Sequence, residues 1–219
     1  MIILGIETTS EIGSVALVKD GRLVSELILE KPLRHSRYVI PAIDKLLRNA
    51  QVKLTDIAKI AVGVGPGSFT GIRVGIAIAK GLSCDGSILL CGVPSMENMA
   101  MRMEPQENVC VAVYAQRNEF FVQCFTRTSK NKFISHEKCR IMRIDEIFTK
   151  FKQNHLIVSP NVKKINTFMD GCNTVKEMFP SAYFAALIAH SKLEKDLPLV
   201  PVYIRRSEAE ERGAKVYKF

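Results

Sequence analysis

A glycine-rich turn that leads into a helix with two apolar faces constrains this chain more than any other segment. Residues 65–67 read Gly-Pro-Gly, which can neither continue a strand nor begin a helix early, and Ser68 is a good N-cap. The pattern predicts a helix from about Phe69 to Leu82, on the order of 20 Å long at 1.5 Å per residue. Such a helix needs cover on both of its apolar sides.

The faces of this helix differ in side-chain size. Small residues recur every four positions along one edge and would leave a groove for another helix backbone. They are Gly71, Gly75 and Ala79, flanked by Ile72 and Ile76. A second stripe would cover a sheet, while a few charged residues reach water. It consists of Val74, Ile78 and Leu82, beside Arg73 and Lys80.

Three interpretations of the segment stay open. Both faces can be covered within the chain, or one can be a subunit interface. The glycines before the helix can also present backbone amides to a phosphate. The spacing from Gly63 to Gly81 matches neither the dinucleotide pattern Gly-x-Gly-x-x-Gly nor a P-loop.

Composition indicates a globular protein with a basic surface. The chain has 219 residues, 47% of them hydrophobic, and a net charge of +9, enough for one large domain or two small ones. We expect it to be cytoplasmic, without a membrane helix or a leader peptide. The charge permits attraction to nucleic acid or to an acidic partner, but its even spread favours a solvated surface.

Cysteine and histidine spacing gives no sign of a metal centre. The six cysteines, at 84, 91, 110, 124, 139 and 172, form no Cys-x-x-Cys pair, and several lie in apolar runs. We expect them to be reduced and buried. The four histidines are equally dispersed, so we predict no metal site.

Apolar periodicity predicts alternating strands and helices. In the first half we expect strands at 2–6, 14–19, 22–30, 59–64 and 88–93, helices at 36–50 and 69–82, and another helix from Ser95. In the second half we expect strands at 109–115, 119–127, 133–140 and 156–159, helices at 144–153 and 181–193, and an exposed tail from 197.

That order is the order of ribonuclease-H-like domains, from which actin-like ATPases are built. We therefore predict an α/β, actin-like, two-lobed fold with mixed sheets flanked by helices. The first lobe would span 1–102 and carry the interface helices, and a degenerate second lobe would span 103–219 with the C-terminal tail.

Four segments resemble the TsaB (YeaZ) family of bacterial tRNA-modification subunits. They are Ile-Glu-Thr-Thr-Ser at 6–10, the run from His35 to Leu47, Gly-Pro-Gly-Ser-Phe-Thr-Gly-Ile-Arg-Val-Gly at 65–75, and Pro-Val-Tyr-Ile-Arg-Arg at 201–206. The resemblance implies a non-catalytic scaffold in the synthesis of threonylcarbamoyladenosine next to the tRNA anticodon. It would bind and support the catalytic paralogue TsaD, touch tRNA only through the complex, and work with the ATPase TsaE.

The resemblance also implies which helices meet the partner, TsaD or a second copy of this chain. The implied interface residues are His35, Tyr38, Val39, Ala42, Ile43, Leu46, Phe69, Gly71, Ile72, Arg73, Gly75, Ile76, Ala79 and Lys80. TsaD binds metal through His-x-x-x-His, whereas here Val39 follows His35 at that spacing, so the metal site cannot form.

A vestigial nucleotide loop is expected at Glu7, Thr8, Thr9 and Ser10. Its hydroxyls can equally satisfy the loop's own backbone, so we expect no cofactor beyond weak or complex-dependent ATP or ADP. The rival hypothesis is a stand-alone actin-like ATPase or acyl-transfer enzyme that uses residues 8–10.

Overall fold

Two mixed sheets form the centre of the structure, a computed structural model that describes residues 1–29, 35–104, 108–129, 132–151, 155–168, 175–193 and 197–204. The first half contains β1 (Ile2–Glu7), β2 (Gly13–Lys19), β3 (Arg22–Leu29), α1 (His35–Ala50), β4 (Ile57–Gly63), α2 (Phe69–Leu82), β5 (Leu89–Val93) and α3 (Ser95–Ala100). The second half contains β6 (Asn108–Gln116), β7 (Glu119–Ser129), β8 (Lys132–Ser135), β9 (Arg140–Arg143), α4 (Ile144–Phe151), β10 (Leu156–Ser159), α5 (Val162–Phe168), β11 (Val175–Glu177) and α6 (Ala182–Ser191).

The two halves repeat one topology. The first sheet has the order β3-β2-β1-β4-β5, in which β2 runs antiparallel to its neighbours and β1, β4 and β5 are parallel. The second sheet has the order β11-β10-β6-β7-β8, with β9 also paired to β7. Each half lays down a meander and then alternates helix and strand. This arrangement confirms the predicted actin-like α/β fold class.

Local sequence signals placed most elements correctly. Helix α2 has the predicted bounds, and the Ser68 hydroxyl accepts a hydrogen bond from the Gly71 amide at 3.2 Å. Asp20 and Gly21 adopt positive φ angles of 50° and 75° in the predicted hairpin turn. Residue 30 and residues 152–153, at the ends of a predicted strand and helix, lie outside the described residues.

The second half departs from the prediction in three elements. The strand predicted at 133–140 is two short strands, because β8 pairs with one end of β7 and β9 pairs with the other. Helix α5 and strand β11 were not predicted. Both are short, with seven and three residues, so neither gives a strong periodic signal.

The last helix of each half packs on the other half's sheet. Helix α6 lies on β1, β2 and β4, where Ala185, Ala186 and Ala189 are buried together with Ile3. Helix α3 packs its methionines against β6 and β7 of the second sheet. Each sheet is thus covered on both faces. Helix α6, placed by the sequence analysis in the lobe 103–219, contributes to the core of the first sheet.

The segment 197–204 also returns to the first sheet, so the prediction of an exposed tail is wrong there. Leu197 is 2% exposed, and its carbonyl accepts a hydrogen bond from the Gly92 amide at 2.9 Å. The Val202 amide donates to the Val64 carbonyl at 2.8 Å. The docking is explained by Leu197, Leu199 and Val202, whose apolar side chains pack against the cores on the first sheet. Arg205, Arg206 and the charged run at 208–212 lie outside the described residues.

Among the described residues, no helix combines the length and the apolar character needed to cross a bilayer.

Candidate functional site

The loop after β1 is held by its own polar side chains. Thr9 donates its amide to Glu7 Oε1 at 2.8 Å and its hydroxyl to the same oxygen at 2.6 Å. The Thr8 hydroxyl donates to the Gly71 carbonyl at 2.7 Å, and the Ser10 hydroxyl donates to the Ile12 carbonyl at 2.7 Å. The loop hydroxyls therefore bond within the protein, as the sequence analysis considered they could.

Glu7 is a fully buried carboxyl group with one unsatisfied oxygen. Its side chain is 0% exposed, and Oε2 has no hydrogen-bond partner among the described residues. A side chain at Gly63 would overlap this carboxyl, so the glycine makes room for it. Burial raises the pKa of Glu7 from 4.5 to about 7, against the smaller opposing effect of the hydrogen bonds from Thr9. Near neutral pH the group is close to its titration midpoint.

Ser95, a residue that the sequence analysis did not place at this site, extends the network to helix α3. Its hydroxyl lies 2.8 Å from the Thr9 hydroxyl, and its amide donates to the Gly65 carbonyl at 2.8 Å. The Ser68 amide donates to the Thr9 carbonyl at 2.7 Å. The only sequence signal for Ser95 was its place at the start of a helix.

The glycine edge of α2 faces this loop, and the predicted open groove is therefore wrong. A Cβ atom at Gly71 would overlap the Thr8 carbonyl, and one at Gly75 would lie 2.6 Å from the Thr8 hydroxyl oxygen. Ile72, Ile76 and Ala79 on the same face are buried as well. Spacing of small residues indicated a close approach correctly, but the approaching backbone belongs to the loop of the same chain.

A cleft of about 400 Å³ opens beside the loop, between residues of the two halves. It is lined by Thr9, Ser10, Glu11, Gly67, Ser68, Phe69, Val113, Tyr114, Ala115, Pro160 and Asn161. Its polar groups are mainly hydroxyls, one carboxylate and one amide, and the Asn161 amide oxygen accepts a hydrogen bond from the Tyr114 amide at 2.9 Å. Over the described ranges, no group of three His, Cys, Asp or Glu side chains could hold a metal ion.

Helix α1 buries half of its predicted interface. Val39, Ile43 and Leu46 belong to the core between α1 and the first sheet, so they do not form a contact surface. Tyr38 and Ala42 are half-buried, and His35 is the first residue of the helix. The sequence analysis missed the most exposed apolar residue of this helix, Ile40, which is 55% exposed.

Helix α2 divides in the same way. Predicted interface residues Arg73 and Lys80 are exposed and Phe69 is half-buried, whereas the five residues of the glycine edge are buried. In the stripe predicted to cover the sheet, Ile78 and Leu82 are half-buried and pack against the core of the first sheet. The outer face of the helix carries the half-buried Val74 and the exposed Thr70, Ala77 and Gly81.

The C-terminal segment braces the first turn of α2. The Tyr203 ring stacks on Phe69 with centroids 4.7 Å apart, and its hydroxyl accepts a hydrogen bond from Arg73 Nε at 3.3 Å. The Arg73 guanidinium lies 4.0 Å above the centre of the Phe69 ring. These contacts fix two of the predicted interface residues, and only the tertiary structure brings Tyr203 to them.

The fold and the site can be compared with known proteins. A family model described as "TsaD: tRNA N6-adenosine threonylcarbamoyltransferase" matches residues 31–191. The tRNA threonylcarbamoyladenosine biosynthesis protein TsaB of Escherichia coli is 31% identical over 156 residues, 70% of this chain and 67% of that protein. The chain belongs to the TsaB family. The Haemophilus influenzae protein of the same name is 34% identical over 126 residues, so the match covers 55% of this chain but only 52% of that relative.

Solved structures agree on the fold of this TsaB-family chain. YeaZ from Pseudomonas aeruginosa superposes with a TM-score of 0.77, covering 93% of this chain and 99% of that protein. The sequence identity is 21%, so the likeness concerns the fold alone.

Proposed function

We propose that this protein takes part in the synthesis of threonylcarbamoyladenosine on tRNA as a non-catalytic subunit that binds and supports a TsaD-like catalytic paralogue. The names of the curated TsaB relatives support the pathway, and the family model that matches residues 31–191 is itself named for the transferase. The subunit role is supported by the exposed face of α1 and α2.

That face carries the proposal because a stripe of small side chains runs along it, beside the exposed Arg73 and Lys80. Helices α1 and α2 contact one another, and Ile40 projects into solvent from α1. On α2 the outward residues Thr70, Val74, Ala77 and Gly81 follow a spacing of four, three and four, with no large side chain among them. A helix of the partner could approach closely along this stripe and bury Ile40. The same face would pair two copies when the protein is alone.

A non-catalytic role is supported by the loop that would otherwise bind phosphate. Its hydroxyls are hydrogen-bonded within the protein, and its Glu7 carboxyl group is fully buried and hydrogen-bonded to Thr9. We therefore propose that ATP or ADP binds weakly or only in the complex with a TsaE-like ATPase. In this scheme tRNA is bound by the other subunits of the complex, and this chain reaches tRNA only indirectly.

Docking is tested by two substitutions on the outer face, Ile40→Asp and Ala77→Glu. Each places a charge at the proposed contact without entering the core, so the affinity for the TsaD-like paralogue should fall by about 30-fold or more, as expected for a hot-spot residue. Asn166→Glu, on the exposed face of α5, is the matched control and should bind like the wild type. If both outer-face variants bind the TsaD-like paralogue with wild-type affinity, the proposed docking through this face is wrong.

Reconstitution separates the scaffold from the rival ATPase or acyl-transfer enzyme. The assay measures tRNA modification with this chain, the TsaD-like subunit or the TsaE-like ATPase omitted in turn. We expect the modification to require the TsaD-like subunit, and the chain alone to show no ATP turnover. Turnover by the purified chain that is lost in Thr9→Ala would favour the rival.

A further inference from the structure

Two cysteines face each other across the second sheet, away from the α1–α2 face and the loop. Cys110 on β6 and Cys124 on β7 are direct partners in the antiparallel register. Both cysteines are reduced. Opposed residues of antiparallel strands have Cα atoms about 4.5–5.5 Å apart, within the range of about 4.4–6.8 Å that a disulfide bridges. The backbone therefore needs little adjustment for these sulfurs to bond.

The two cysteines differ in their position relative to a cleft. Cys110 is fully buried beneath the helix α4 side of the sheet, and Cys124 is 4% exposed. Cys124 lines a cleft of about 530 Å³ together with Asn108, His136, Glu137, Phe151 and His155. A small oxidant entering this cleft would meet Cys124 first.

The electrostatic surroundings make the two thiols unequal. The neighbouring Cys110 thiol lowers the pKa of Cys124, burial opposes this effect, and the cationic side chains of Lys150 and Arg140 lower the pKa further. The neighbouring Cys124, together with burial, raises the pKa of Cys110. Because Cys124 also lines the cleft, we assign it as the attacking thiol and Cys110 as the resolving thiol.

We propose that Cys110 and Cys124 form a redox-active dithiol that is converted to a cross-strand disulfide by hydrogen peroxide. The Cys124 thiolate attacks one peroxide oxygen, so an S–O bond forms, the O–O bond breaks, and the departing hydroxide takes a proton to become water. Cys124 is now a sulfenic acid, oxidised by two electrons. The Cys110 sulfur then attacks the Cys124 sulfur, the S–O bond breaks, and the hydroxide leaves with the Cys110 proton as a second water.

Tryptic mapping after treatment of the full-length protein with hydrogen peroxide tests the proposal. Cleavage after Arg102, Arg117 and Arg127 places the two cysteines in different peptides, 103–117 and 118–127. We expect the folded, oxidised protein to lose two alkylatable thiols and to give these peptides as one linked species. A thiol reductant should separate them again.

Variants distinguish this pair from general thiol oxidation. Cys124→Ser and Cys110→Ser should lose the linked species, whereas the matched control Cys139→Ser, which changes a half-buried cysteine outside the pair, should keep it. If either pair variant fails to fold, the linked peptides of the wild type still decide the result. Oxidation of the exposed Cys84 while 103–117 and 118–127 stay unlinked would overturn the proposal. Overoxidation of Cys124 to sulfinic acid without a link would overturn it equally.

Discussion

Three glycines decide how the loop after β1 is built. Gly63 leaves the space that the Glu7 carboxyl fills, and Gly71 and Gly75 let Thr8 lie against helix α2. None of the three has a positive φ angle, so their role is the absence of a side chain. The loop and the helix therefore pack as one unit. The Thr8 hydroxyl donates a hydrogen bond to the Gly71 carbonyl across this contact.

Gly71→Ala and Gly81→Ala should therefore have opposite effects on stability, although both lie on α2. A methyl group at Gly71 overlaps the Thr8 carbonyl and should reduce the free energy of unfolding by about 3 kcal/mol. At Gly81 nothing lies within 4 Å, so alanine should stabilise the helix by about 0.5–1 kcal/mol. Urea denaturation measures both. Equal effects at the two positions would contradict the placement of the glycine edge.

The buried Glu7 carboxyl group should make the folded protein less stable as the pH rises. Because burial raises its pKa from 4.5 to about 7, the folded protein holds this proton more tightly than the unfolded chain. Its contribution to stability is complete below pH 4.5 and is lost as the pH rises through about 7. At ~1.4 kcal/mol per pKa unit, the loss is on the order of 3 kcal/mol. Glu7→Gln should abolish this component in denaturation measured at pH 5 and pH 8.

The control for that measurement is Glu11→Gln, which changes an exposed carboxylate of the same loop. This variant should follow the wild-type pH profile. A Glu7→Gln profile parallel to the wild type would show that the buried carboxyl does not titrate in this interval.

At the scale of elements, helix α2 is the point where the chain's distant parts meet. Its inner edge contacts the loop after β1, and its first turn is braced by the segment 197–204 through Tyr203. Its outer face is left for the proposed partner. The segment therefore holds Phe69 and Arg73 in one arrangement at the edge of that face.

Removing the Tyr203 ring should loosen this end of the helix. Tyr203→Ala loses the stacking on Phe69 and the hydrogen bond from Arg73, so amide exchange of residues 69–73 should accelerate. The free energy of unfolding should fall by about 1 kcal/mol. Tyr203→Phe keeps the ring and loses only the hydroxyl, so most of the protection should return. Unchanged exchange in Tyr203→Ala would show that the segment does not brace α2.

At the scale of the whole molecule, the two halves are held together by helices that each pack on the other half's sheet. Helix α6 brings small alanines onto the first sheet, and the missing side chain of Gly5 leaves room for the Ala182 carbonyl. Asn98 of α3 also donates to and accepts from Ser181 at the start of α6, at 2.8 and 2.9 Å. One face of the first sheet is therefore covered by residues of α6, which lie almost ninety positions after its last strand.

Residues 1–102 should consequently not fold as a separate lobe. Without α6 the buried face that contains Ile3, Val18 and Ala61 would be exposed to water. We expect circular dichroism and amide resonances of this fragment to show an unfolded or aggregating chain, in contrast to the full-length protein. A well-dispersed spectrum with a cooperative thermal transition would show that the fragment folds alone.

Sequence patterns within single strands, helices and turns were sufficient to predict the fold class. Alternation, capping at Ser68 and the Asp20-Gly21 turn gave the order of strands and helices, because each depends on residues a few positions apart. The same reasoning did not find α5 or β11, which are too short for a periodic signal. For the candidate site it found the polar loop, but it missed Ser95 and Ile40.

The sequence by itself determined that small residues line α2, that polar residues follow β1, and that the two halves share an order of elements. Tertiary structure alone decided what those features touch. Spacing along a helix states which residues share a face, but the neighbour of that face is set by chain segments far away in sequence. Thus the glycine edge contacts Thr8, the small residues of the outer face stay exposed to solvent, and Cys110 pairs with Cys124 across the strands.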